Sequence, residues 1–159
     1  MLAIARLFAV AILAVVAGAN PAFAWWRYAQ WGMSEEQVVS ASGGQAVPCR
    51  PDVPVCSSAL AGAVPRLVVE AVDMLGLHGS AAFVFDAKGE LIRTVVLFPT
   101  VDFAQSSGLM QGIQGQPAQD SLGDRPGEKV ARVWRDEKRG SIVTITASGS
   151  GTILFYRPM

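Results

Sequence analysis

Few side chains in this sequence have a type and spacing that could do chemistry. Cys49 and Cys56 are its two cysteines, His78 is its one histidine, and Trp25, Trp26, Tyr28 and Trp31 crowd into seven residues. The C-x6-C spacing is too wide for the C-x-x-C of a thiol oxidoreductase, which needs an exposed low-pKa thiolate beside its resolving partner. A zinc site would need more ligands, and a single histidine with scattered carboxylates offers no second ligand pair of recognisable spacing. The pair therefore predicts one structural disulfide, Cys49–Cys56, with no metal site and no cofactor. Pro48, Pro51 and Pro54 already stiffen this loop, so its entropic stabilisation is at most about 2.5 kcal/mol.

His78 follows Asp73 by five residues and could serve with it as a general base, with Ser80 close by. The setting Gly76-Leu77-His78-Gly79-Ser80 reads instead as a surface turn between strands, and Ser80 lacks the G-x-S-x-G context that presents a nucleophile. The carboxylates are scattered or sit in turns, and the sequence pairs no two of them for acid and base work. The chain is thus expected not to be an enzyme; the alternative is a small extracytoplasmic enzyme using His78. The run Arg132, Arg135, Asp136, Glu137, Lys138, Arg139 mixes signs at a predicted hairpin tip. That is the composition of a solvated turn more than of a phosphate or partner patch. Ser148-Gly149-Ser150-Gly151 lacks the lysine and helix of a phosphate loop and reads as a turn.

The aromatic group has two readings. Trp and Tyr dominate binding hot spots, so Trp25, Trp26, Tyr28 and Trp31 are the candidate binding residues. Large apolar groups near a chain end are more often buried than offered, which favours their folding back over the sheet as core.

These aromatics gain their place from what precedes them. Arg6, the apolar stretch Leu7 to Ala19, the break Asn20-Pro21 and the small-residue site Ala22-Phe23-Ala24 have the layout of a cleavable secretory signal peptide over residues 1–24. An uncleaved anchor is the rival, but the apolar run is shorter than the roughly 20 residues a spanning helix needs and ends at a proline. Loss of 24 from 159 residues leaves 135, a usual size for one domain. Thirteen basic and thirteen acidic residues balance in the full chain, and loss of Arg6 leaves the rest at −1. That gives no electrostatic case for nucleic acid or for an anionic membrane. The localisation expected is periplasmic or secreted, and the partner expected is another envelope or secreted protein; the oligomeric state is left open.

Those residues need a scaffold. Ser34 to Val39 opens a helix, with Ser34 and Gln37 as a capping box and Gly43-Gly44 as the stop. Strand character follows at Leu67 to Val72, Ala81 to Phe85 and Leu91 to Phe98, the last two joined by the turn Asp86 to Gly89. A second helix fits Asp102 to Gln114, with Asp102 as its cap and Gly115 with Pro117 as the stop, and Gln116 to Glu128 reads as an exposed loop. Val130 to Arg135, Ile142 to Ala147 and Thr152 to Arg157 read as a meander. The fold class expected is a single α+β domain over residues 25–159, an antiparallel sheet with two short helices packed on one face. The order helix, three strands, helix, three strands suggests a tandem α-β-β-β repeat over 31–98 and 100–159.

The phrase Trp31-Gly32-Met33-Ser34-Glu35-Glu36-Gln37-Val38, with the Phe83-Val84-Phe85-Asp86 strand and the turn into Leu91, resembles small bacterial envelope proteins of the BamE-like type. The tandem arrangement looks like the fold of the β-lactamase inhibitor proteins. The resemblance implies an antiparallel sheet behind a helix start, and a role in protein binding or assembly without catalysis. The chain departs from BamE in lacking a lipid-accepting cysteine after the leader and in its long second half, so no contact residue is carried over. The function expected is a non-catalytic extracytoplasmic binding or envelope-associated module.

Overall fold

A computed structural model describes residues 28–57, 62–121 and 131–159. Among the described residues the elements run α1 (Glu35–Ala41), β1 (Val47–Pro48), β2 (Pro65–Met74), β3 (Leu77–Phe85), β4 (Leu91–Phe98), α2 (Phe103–Gln114), β5 (Gln119–Ser121), β6 (Ala131–Asp136), β7 (Ser141–Ser148) and β8 (Gly151–Pro158). The eight strands form one antiparallel sheet in the order β1-β2-β3-β4-β8-β7-β6-β5. This overturns the α+β expectation: the fold is mostly sheet, open at both edges, with the helices as minor elements.

The physical reason lies in where helical periodicity gives out. α1 stops after seven residues because Gly43 and Gly44 take positive φ, while the strands run longer than their apolar cores suggest. β2 continues to Met74 and β3 begins at Leu77, so the segment read as a surface turn is mostly paired strand. Leu75 and Gly76 alone make the turn, both with positive φ, as a two-residue hairpin of the primed type requires. Two short edge strands, β1 on β2 and β5 on β6, carry too few residues to show a period.

The helix starts form as their chemistry dictates. Ser34 Oγ accepts from the Gln37 amide at 3.3 Å and Gln37 Oε1 accepts from the Ser34 amide at 2.8 Å, closing the capping box. Asp102 Oδ1 accepts from the Gln105 amide at 2.7 Å at the head of α2. Both helices lie against the first face of the sheet, where Val38 and Met110 join a core built on Leu67, Phe83, Val96, Phe98, Trp134, Ile145 and Tyr156.

A bulge keeps that face apolar along β2. Val69 pairs with Ala81 but Val72 pairs with Gly79, so one extra residue at Glu70-Ala71 resets the alternation. Leu67 and Val69 before it, and Val72 and Met74 after it, all reach the same core. Without the bulge the second pair would turn to the opposite face.

The second face carries its own core: Val68, Ala82, Val84, Val95, Leu97 and Ile153, capped by Val53 and Val55. Val53 and Val55 come from the loop closed by Cys49–Cys56, which are bonded with Cα atoms 5.6 Å apart. The Cys49 amide donates to the Arg66 carbonyl at 2.8 Å, and Arg50 Nη2 pairs with Glu70 Oε1 at 2.9 Å. The disulfide thus pins a loop that serves as a third layer over β2, β3 and β4.

At the far side of the first face, Asp136 is 5% exposed and takes Arg139 Nη1 at 2.7 Å and Gln114 Nε2 at 3.2 Å. Burial raises its pKa, but the hydrogen bonds from Arg139 and Gln114 outweigh that and hold it below the ordinary aspartate value. A depressed carboxylate adds stability above its unfolded pKa of about 4 and loses it as pH falls through the folded value. Asp136→Asn should therefore cost about 1–3 kcal/mol at pH 7 and flatten the acid limb of stability below about pH 4, read by urea unfolding across pH. Reducing the disulfide, or Cys56→Ser, should lower stability by no more than about 2.5 kcal/mol and raise binding of an apolar dye as the second-face core loses its cap.

Candidate functional site

Of the four aromatics offered by the sequence for binding, Trp25 and Trp26 lie outside the described residues. Tyr28 and Trp31 are half-buried and pack against the first-face core. Trp31 Nε1 donates to Ser141 Oγ at 3.2 Å. The chain beside it is stitched to the start of β4 by Gly32 N to Leu91 O at 3.0 Å and Leu91 N to Met33 O at 2.8 Å. Tyr28 and Trp31 thus cover the sheet and join its core.

His78 and Asp73 are brought together. They are cross-strand partners on β3 and β2, with His78 Nδ1 3.1 Å from Asp73 Oδ2 and Gly76 N donating to Asp73 Oδ1 at 3.1 Å. Ser80 stands two residues along β3 from His78, on the same face, and shares with Glu70, Asp73 and Thr100 the lining of an open depression. The His78 side chain is 81% exposed. His78 lines the same depression, which is open to solvent, so the imidazole, the Asp73 carboxylate and the Ser80 hydroxyl stand at a wide, exposed edge and not in an enclosed cleft. Among the described residues, no cluster of three or more His, Cys, Asp or Glu could hold a metal ion.

The surface that sequence reasoning missed lies on the second face, beyond the pinned loop. Register fixes it. Arg135, Ile142 and Arg157 form one row across β6, β7 and β8; Val133, Thr144 and Phe155 form the next; Ala131, Thr146 and Ile153 the third. Val133, Thr144, Thr146, Ala131 and Phe155 are all partly exposed, and Arg135 and Arg157 are exposed. No described helix or loop lies over the first two rows, in contrast to the covered half. With strands about 4.8 Å apart and same-face residues about 6.7 Å apart, the three rows span roughly 10 by 13 Å.

The signal was present as alternation. Val143 and Ile145 are buried on the first face while Thr144 and Thr146 are not. Which face a residue takes, and whether anything covers it, depends on partners far along the chain. The arginines had been absorbed into a solvated turn; Arg132 and Arg135 in fact point to opposite faces. Arg132 lies over the Phe103 ring, 5.8 Å from its centroid, and bonds Ser107 and Asp120 on the first face, leaving Arg135 on the second.

Chemically the open half-face offers aliphatic and aromatic contact, two hydroxyls and two guanidinium groups. Among the described residues it presents no nucleophile beside a base. Those are the properties of a contact surface. Among the described residues no helix is long and apolar enough to cross a membrane. No protein-family model matches the chain, and neither a curated protein nor a solved structure is similar enough to it to lend it a fold or a role.

Proposed function

We propose that this chain is a non-catalytic extracytoplasmic binding module that holds another envelope or secreted protein on the open half of its second sheet face. One observation carries the reading: a single sheet face is capped by a disulfide-pinned layer over β2 to β4 and left without a described cover over β6 to β8. A sheet face covered over one half and open over the other, with Val133 and Phe155 half-exposed among threonines and arginines, has the mixed composition of a contact surface for a partner. The leader read from residues 1–24 and the Cys49–Cys56 bond both suit an oxidising compartment outside the cytoplasm. The BamE-like phrase at Trp31 to Val38 leans toward protein binding as well.

The Asp73–His78 contact favours a second reading, a small hydrolytic enzyme. It predicts that His78→Ala abolishes a detectable hydrolytic activity while leaving the melting temperature unchanged.

The binding reading is tested by a photo-reactive amino acid at Thr144, with Gln105 on the exposed side of α2 as control, in the full chain exported by its host. A covalent adduct of defined mass is expected from position 144 and not from 105. Equal labelling at both positions, or none at 144, would sink the proposal.

A further inference from the structure

Resting on that binding reading, we infer that the partner presents an acidic, otherwise apolar peptide segment, whose carboxylates are taken by Arg135 and Arg157. The two arginines stand on β6 and β8, each directly opposite Ile142 of β7. Ile142 is reduced to 9% exposure on an otherwise open face, as the aliphatic stems of flanking arginines would achieve while their charged heads stay in water.

Their isolation from acid is what carries the inference. Arg50 pairs with Asp52 and Glu70, Arg66 with Glu35, Arg132 with Asp120 and Arg139 with Asp136. Arg135 and Arg157 have no such carboxylate among the described residues, and this face of β6, β7 and β8 bears no acidic side chain. Two like charges two strands apart, about 10 Å by strand spacing, repel each other and would be costly to cover with an apolar partner. A partner that brings carboxylates turns both costs into charge-assisted, bidentate hydrogen bonds.

The rest of the surface selects among anions. Val133 and Phe155 lie beside the arginine row and, half-exposed, offer apolar contact, and Thr144 and Thr146 offer hydroxyls that can donate or accept. Recruitment to an anionic membrane by charge takes clusters of about four to eight basic residues, whereas this row holds three arginines, Arg135, Arg157 and Arg93 next to it on β4, on a chain with no net charge. A segment alternating acidic and aliphatic side chains matches both rows at once.

The test uses the full-length exported protein and three probes: a fluorescent nine-residue peptide alternating Glu and Leu, its Lys and Leu counterpart, and vesicles containing anionic lipid. The Glu peptide should bind, more weakly as salt rises, and R135E/R157E should weaken it at least about tenfold with an unchanged melting temperature. The Lys peptide should bind R135E/R157E better than the parent. Binding of the vesicles in place of the Glu peptide would overturn the inference in favour of a membrane. Failure of the Glu peptide while the adduct at Thr144 persists overturns the acidic partner alone; failure of both overturns the binding reading beneath it.

Discussion

The backbone of Thr94–Phe98 pairs with Thr152–Tyr156, and this ladder is where β2 to β4 meet β6 to β8 in the sheet order. Because of it the first-face core runs unbroken from Leu67 to Trp134. The seam is packed hard at its end. Gly151 has φ +117 and a Cβ there would run into the Phe98 carbonyl and Pro99, so no other residue fits. Thr152 Oγ1 donates to the Val101 carbonyl at 2.9 Å and is buried, tying the start of β8 to the chain entering α2. Thr94 and Tyr156 face each other in register at the other end. Thr94 Oγ1 is buried with no hydrogen-bond partner among the described residues, a cost of about 1–3 kcal/mol that the surrounding packing offsets. Burial also pushes the Tyr156 phenol well above its ordinary pKa, so the hydroxyl stays neutral there.

A seam apolar on both faces needs a layer on each. Val95 and Leu97 on β4, with Ala82 and Val84 on β3, leave no polar face for water. Helices cover the first face. The second is covered by a loop with almost no secondary structure of its own, one three-residue turn at Pro54–Cys56. Such a segment has little internal hydrogen bonding to hold its shape. The bond between Cys49 and Cys56, with the local prolines, limits the conformations it can lose on docking. The disulfide therefore acts on the sheet through Val53 and Val55.

Local chemistry made parts of this legible from sequence. The caps at Ser34 and Asp102, the stop at Gly115, the hairpin turn at Asp86 and the partnership of the cysteines depend on residues near one another in the chain. What stayed hidden depends on distant partners. The bulge at Glu70-Ala71 shows only once β3 is laid beside β2, and the strands at Val47–Pro48 and Gln119–Ser121 exist only because β2 and β6 offer edges to pair with. The sheet came to dominate for the same reason: pairing extends each strand past its apolar run, whereas nothing extends α1 past Gly43-Gly44. Apolar side chains on both faces of β3 and β4 reveal a second cover only when the covering loop is placed.

The two halves of the second face differ in composition as their surroundings require. Under the loop stand Val68, Val84, Val95 and Leu97; beyond it stand Thr144, Thr146, Arg135 and Arg157 among fewer aliphatics. Threonine keeps the β-branched shape that suits a strand and offers a hydroxyl that water can satisfy. Arginines flank Ile142 in register, and their like charges discourage another copy of the same face from stacking on it. The open half is therefore tolerable in water without a partner, which a face of valine and leucine would not be. The same features make it selective. On the proposed reading, a surface carrying these guanidinium groups would reject a purely apolar or basic partner by leaving their charges unpaired, and would accept one that carries carboxylates at the right edge. The composition that keeps the surface soluble is thus also the composition that would choose what binds there.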